Sequence, residues 1–242
     1  MKQLTSVLAA AVLTMLLFSG QTQAQDPVQV GPDVYKAFLE NDYVRAFEVH
    51  FKPGAKIGTH SHPDHFAHVL SDGKLKLIYP DTAVVIEAKA GATFWIPAES
   101  HAAENLGGTD LRILVVDLKL PKTEQPMSAA FDSTLDPIKV SPENYTVLLE
   151  NDRVRLIKAH YEPGDKSGLH AHRAMVAYTL TNGTVQHTSK TGESSELKLT
   201  AGMAIWRDAE VHSSVNPDTT AFSVLLAELK EPLPMPQPEH KH

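Results

Sequence analysis

Residues 39–54 read LENDYVRAFEVHFKPG and residues 149–164 read LENDRVRLIKAHYEPG, with nine of sixteen positions identical at an offset of 110. No other feature limits the fold so strongly, because whatever the first half forms, the second half must form again. The offset pairs His60 with His170, His62 with His172, Leu70 with Leu180 and Gly73 with Gly183. Further on it becomes 111, pairing Gly91 with Gly202, Trp95 with Trp206, His101 with His212 and Asn105 with Asn216. LKL at 118–120 is matched to ELK at 228–230. The expected units are 33–121 and 143–231, joined by a linker at 122–142 and followed by a Pro- and His-rich tail at 232–242. Each is of ordinary domain size.

Within a copy the hydrophobic period is two. Arg45, Phe47, Val49 and Phe51 face one way while Ala46, Glu48, His50 and Lys52 alternate with them, and Arg155, Ile157, Ala159 and Tyr161 repeat the pattern. Further alternating or β-branched runs lie at 74–79, 83–88, 93–96 and 111–118, separated by Pro-Gly, Asp-Gly, Ala-Gly and Gly-Gly turn signals. Many short strands with little helical periodicity predict an all-β chain of two tandem antiparallel barrels of jelly-roll type.

Residues 1–24 have the form of an export signal. Lys2 precedes an apolar run from Leu4 to Phe18, and small residues follow, with Thr22 and Ala24 at positions −3 and −1 of a cleavage site before Gln25. The run is short for a bilayer span, so the expectation is a periplasmic or secreted protein with no stable membrane anchor after cleavage. The chain has no cysteine, which excludes disulfides and thiolate ligands, so a metal must be held by nitrogen and oxygen. A net charge of −7 without a basic cluster argues against nucleic acid as a partner.

The stretch from Gly58 to His68 places four histidines in nine residues, at 60, 62, 65 and 68. In an extended strand residues two apart share a face, so His60 and His62 project together, as do His170 and His172. A third imidazole from a distant strand would complete a metal site, and His101 and His212 are the natural candidates. His65 is expected to be solvated in a loop after Pro63. His68 shares parity with Phe66 and Leu70 and is expected inside the barrel, as a fourth ligand, a base beside the metal or a satisfied core residue. Glu99 and Glu104 flank His101 as proton acceptors. His68 and Glu104 are the candidate catalytic groups. Arg45 and Arg155 read first as a buried ion pair or rim charge and second as an anchor for a substrate carboxylate, and Trp95 and Trp206 as packing the barrel mouth. His187, without a counterpart, carries no signal, and His240 and His242 lie in the tail.

These residues resemble the cupin family. Gly54, five residues, then His60-Ser-His62 and onward to Gly73 is similar to the first cupin motif; Gly91, Pro97, His101 and Asn105 are similar to the second. Gly164, His170, His172 and Gly183, then Gly202, His212 and Asn216, repeat both. The chain departs from the pattern where many cupins carry a glutamate ligand: Phe66 and Val176 stand there, Asp208 replaces the motif proline, and Glu99 and Glu210 replace the usual glycine. The resemblance therefore implies a bicupin with three-histidine sites for a divalent metal, iron(II) first, with manganese, nickel or zinc as alternatives. It implies a metalloenzyme, dioxygenase-like or an isomerase or lyase, acting on a small oxygen-rich or acidic molecule. A non-catalytic binding or structural role is the other reading. Cupins commonly pair through sheet edges, so the resemblance also allows a homodimer.

Overall fold

The computed structural model describes residues 25–121 and 131–231. The expected export signal at 1–24, the first part of the linker, and the tail with His240 and His242 lie outside the described residues. The first copy runs α1 (Pro27–Val30), β1 (Tyr35–Glu40), β2 (Val44–Phe51), β3 (Lys56–His62), β4 (His65–Val69), β5 (Gly73–Ile78), β6 (Ala83–Ala88), β7 (Thr93–Ile96), β8 (Glu99–Asn105) and β9 (Leu111–Leu118). The second runs α2 (Pro137–Val140), β10 (Tyr145–Glu150), β11 (Val154–Tyr161), β12 (His170–His172), β13 (Met175–Thr179), β14 (Gly183–Ser189), β15 (Ser194–Leu199), β16 (Ala204–Arg207), β17 (Glu210–Val215) and β18 (Phe222–Leu229).

Each copy closes from two antiparallel sheets. In the first, a five-stranded sheet in the order β1-β2-β9-β4-β7 faces a four-stranded sheet in the order β3-β8-β5-β6; the second repeats this as β10-β11-β18-β13-β16 and β12-β17-β14-β15. The chain is thus all-β, two tandem cupin-like barrels. Phe47, Val49, Phe51, Val69, Leu75 and Val115 fill the first barrel, and Ile157, Tyr161, Val185, Phe222 and Leu226 the second. Gly54 and Gly164 turn at φ 73° and 80°, a region that L side chains avoid, which explains the first glycine of each motif. Gly73 and Gly183 are held small by close neighbours: an added Cβ would lie 3.0 Å from Leu111 and 2.8 Å from Phe222.

The five-stranded sheets also stack on each other. Val44, Ala46, Phe66, Leu114 and Val116 of the first barrel meet Val154, Leu156, Val176, Leu225 and Ala227 of the second in one apolar cluster. Strands β2, β4 and β9 are therefore buried on both faces, toward the barrel interior and toward this seam. Fully burying an aliphatic side chain stabilises by about 1.5–3 kcal/mol, so the seam ties the barrels into one body. Trp95 and Trp206 pack against this seam rather than only at a mouth, and Tyr43 stacks on Trp206 at 5.4 Å. At the position equivalent to Tyr43, the buried Arg153 reaches back from the second barrel. It donates to Asp64 Oδ2 at 2.7 Å, to the Leu120 carbonyl at 2.6 Å and to Glu231.

The repeat begins earlier than residue 33. Asp26 caps α1 as Asp136 caps α2, each followed by proline, so the end of the expected linker belongs to the second barrel. The 3₁₀ turn at Ser133–Leu135 is likewise ordered.

Candidate metal centres

Strands β3 and β8 pair with His60 directly opposite His101, and β12 and β17 with His170 opposite His212. Cross-strand pairing brings the third imidazole beside the first, and the two-residue spacing brings the second to the same face. Ligand nitrogens of His60, His62 and His101 lie within 4.8 Å of one another, as do those of His170, His172 and His212. All six rings are buried.

Partners behind the first two rings of each triad fix which of their nitrogens is free. His60 Nδ1–H donates to the Gly58 carbonyl at 2.9 Å, and His62 Nδ1–H to Asp117 Oδ1 at 2.9 Å. Their Nε2 lone pairs then point inward, where the Tyr35 hydroxyl lies 3.0 and 3.3 Å from them. The second barrel repeats the arrangement. His170 Nδ1–H donates to Gly168 O at 2.8 Å, His172 Nδ1–H to Glu228 Oε1 at 2.7 Å, and the Tyr145 hydroxyl lies 2.9 Å from His170 Nε2. Backbone carbonyls and carboxylates behind imidazoles are what orients metal-binding histidines and raises their basicity. Burial pushes the pKa of His101 and of His170 down to about 3, with neighbouring imidazoles adding to the effect; His60 and His212 are lowered by burial first as well. Neutral imidazoles are the ligating form, so these buried, converging lone pairs suit a divalent metal.

Around the triads the barrels differ. Opposite the first, a cavity of about 290 Å³ is walled mainly by apolar side chains, with His65, Tyr79 and Glu99 among them. Glu99 Oε1 lies 2.9 Å from His101 Nδ1, out of line for a hydrogen bond, while Glu99 Oε2 accepts from the Tyr79 hydroxyl at 3.1 Å. In the second barrel the corresponding space is about 60 Å³. His187 and Tyr161 intrude where the first barrel has Leu77 and Phe51, and Arg207 clamps Glu210 with Nε–Oε1 at 2.7 Å. Burial alone would raise the Glu210 pKa, but His212 close by and the hydrogen bonds and charge of Arg207 bring it down to about 2.

Several sequence expectations change. His68 does not point into the barrel. It lies on the seam face of β4 with Phe66, donating or accepting at Thr93 Oγ1 at 2.8 Å, so a catalytic role beside the triad is withdrawn. Glu104 lies on the outer face of β8, paired with Lys56 at 2.9 Å, and is withdrawn too. Its neighbour Glu99 faces the site instead. His65 is not solvated: it is 2% exposed, lines the cavity, and its ring lies 4.8 Å from that of His62. His187 lies 4.5 Å from His212. Arg155 is a buried ion pair, its Nε donating to Glu228 Oε2 at 3.0 Å and its Nη1 to Asp136 at 2.7 Å.

Asp117, Glu228, Tyr35 and Tyr145 were not anticipated. The signal was present: Asp117-Leu118 matches Glu228-Leu229 when the offset stays at 111, and Asp-Pro-x-x-Val at 26–30 and 136–140 leads into each tyrosine at a fixed distance.

Comparison with known proteins agrees with this geometry. Residues 47–117 match the cupin domain family. No curated protein matches the sequence. Among solved structures, AerE from Microcystis aeruginosa superposes with a TM-score of 0.55 at 16% identity, over 82% of this chain and 98% of that one. A variant of the oxalate decarboxylase of Bacillus subtilis gives 0.56 at 12% identity, over 83% of this chain and 76% of that one. A further structure of that decarboxylase, from work on its Mn(II) centres, gives 0.55 at 14% identity, over 81% and 75%. The family match identifies a cupin domain in the first half, and the motifs and barrel of the second half repeat it, so the chain has the fold of two tandem cupin-like barrels.

Proposed function

We propose that this chain is an exported metalloenzyme whose active site is the first barrel. There His60, His62 and His101 hold a divalent metal and the substrate is a small oxygen-bearing molecule. One observation carries the reading: the first triad faces a cavity of about 290 Å³, whereas the second faces about 60 Å³. A ligand-sized space beside three ligating nitrogens is what catalysis needs, and it leaves coordination positions for substrate. Bound there, the metal supplies Lewis acidity and, as iron(II), the capacity for oxygen chemistry. Three neutral imidazoles leave its double charge intact to draw chelating oxygen donors, and the absence of a glutamate ligand favours a dioxygenase-like reaction, with isomerase or lyase chemistry as the alternative. Iron(II) is favoured for that chemistry; manganese(II), present in the centres of the structurally similar decarboxylase, is the next candidate, ahead of nickel and zinc.

The chain's own residues have distinct tasks. Gly58 and Asp117 fix the imidazole tautomers, Tyr35 donates into the point of convergence, and the apolar wall excludes water. Glu99, held by Tyr79, is placed to accept a proton at its carboxylate beside His101. The second barrel fits a non-catalytic metal or structural role, since its Arg207–Glu210 clamp and small cavity leave little room for a substrate.

The test is oxygen consumption by iron-loaded protein across catechols, gentisate-like acids and diketones. Uptake is expected with at least one class, lost in His60→Ala/His62→Ala and kept in His170→Ala/His172→Ala. Ligand-induced thermal stabilisation without any product would support a binding protein in its place.

A further inference from the structure

We propose that the first-barrel cavity takes an uncharged, largely apolar molecule through a pair of oxygen donors, and that the second barrel takes no organic ligand. This rests on the metal-centre reading above and names its ligand class.

Beyond the triad most of the cavity wall is hydrocarbon, including Val49, Phe51, Leu75, Leu77, Ile113 and Val115, with the polar groups of Tyr35, His65, Tyr79 and Glu99 set in it. Among the described residues no lysine or arginine lines it, while the Glu99 carboxylate does. An anion entering this space would lose its hydration against apolar walls and meet a like charge at Glu99, with only the metal to offset both costs. An apolar body gains instead, at about 0.8 kcal/mol per CH₂ buried. The entrance points the same way. Val84 is 47% and Phe94 41% exposed, yet both line the cavity, so its rim is apolar where a soluble surface is usually polar.

The second barrel serves as an internal control, because it shares the backbone and the triad but not the wall. Ser195 stands where Val84 does, His187 where Leu77 does, and Arg207 where Ile96 does. The Arg207 guanidinium spans to Glu210 and sets a fixed cation in the lining where the first barrel has Ile96. The second cavity keeps an apolar floor, but the added polar and bulky side chains put a cation at its lining and leave about 60 Å³ against about 290 Å³.

The experiment compares two ligands with the same chelating oxygens and different bodies, 4-tert-butylcatechol and 3,4-dihydroxybenzoate, titrated calorimetrically into full-length protein loaded with redox-inert zinc. The alkyl catechol is expected to bind at least about tenfold more tightly than the carboxylate, from burial of its added carbons. Ile96→Arg, which copies the second barrel's cation, is expected to weaken the alkyl catechol about tenfold or more and to narrow or reverse the preference. His170→Ala/His172→Ala should leave both affinities unchanged. Equal or tighter binding of the carboxylate to the parent overturns the proposal, as does absence of alkyl catechol binding or its loss in the second-barrel variant. Zinc content is read on the same samples. Failure of the parent to hold zinc overturns the metal-centre reading, whereas full zinc without preference for the alkyl catechol overturns the ligand class alone.

Discussion

Replacing Asp117 by asparagine removes one charge and no volume from a site that touches no ligand directly. The carboxylate is 5% exposed and accepts from His62 Nδ1–H at 2.9 Å. The amide oxygen can still accept in the same place, so the imidazole keeps its tautomer but loses a charge-assisted partner, and such bonds are roughly twice as strong as neutral ones. The imidazole becomes a poorer base toward a cation at Nε2. Loss of a carboxylate behind a ligating histidine ordinarily lowers metal affinity about 10–100-fold, equivalent to about 1.4–2.7 kcal/mol. Asp117→Ala should do at least as much harm, because it also leaves a buried N–H without a partner at a cost of about 1–3 kcal/mol. The assay is zinc competition against a chromophoric chelator in a His170→Ala/His172→Ala background, so that only the first triad reports, with circular dichroism as a check on folding. Glu104→Gln is the control, since Glu104 lies outside the barrel against Lys56. Affinity in Asp117→Asn within about twofold of the parent would refute the orientation argument, as would equal damage from Glu104→Gln.

Other consequences follow from the same structure. Metal-free protein should lose stability as pH falls below about 6.5, because burial depresses His101, His170 and His187 to about 3 and His65 and His68 to about 4. The unfolded chain binds these protons first, so each group contributes fully above pH 6.5 and loses up to about 1.4 kcal/mol per pH unit down to its folded value. Urea unfolding between pH 7.5 and 4.5 measures this, and a flat profile would contradict it. Phe66→Ala empties the fully buried centre of the inter-barrel seam and should cost about 3–5 kcal/mol while leaving the first-barrel metal affinity nearly unchanged. Calorimetry showing no drop in Tm would mean the barrels do not depend on that contact. Gly183→Ala drives a Cβ to within 2.8 Å of Phe222 Cβ and should lower stability by about 1–3 kcal/mol, checked by urea midpoint.

The duplication, the strand periods and all six triad histidines could be read from the chain because each is a local or repeated signal. In and out could not be read everywhere. Along β4 the alternation of Phe66, His68 and Leu70 against Ala67 and Val69 is equally apolar on both sides, because one face fills a barrel and the other the seam. Parity also restarts at Pro63-Asp64, where the chain leaves the sheet containing β3 and enters that containing β2, so the spacing from His62 says nothing about His65 or His68. Copy-to-copy comparison hid the carboxylates behind His62 and His172 for a simpler reason. Matching LKL to ELK slips the register by one and sets Asp117 against Ala227 rather than Glu228. The unequal cavities arise from long-range packing of Leu77 or His187, and Ile96 or Arg207, around otherwise equivalent backbones.

Elemental analysis of tag-free protein reconstituted with iron(II), manganese(II) or zinc(II) tests most directly whether the six imidazoles form two metal centres. About two equivalents are expected in the parent, about one in His60→Ala/His62→Ala and in His170→Ala/His172→Ala, and almost none when all four are replaced. Less than about a tenth of an equivalent in the parent, or undiminished metal in the variants, would contradict that arrangement.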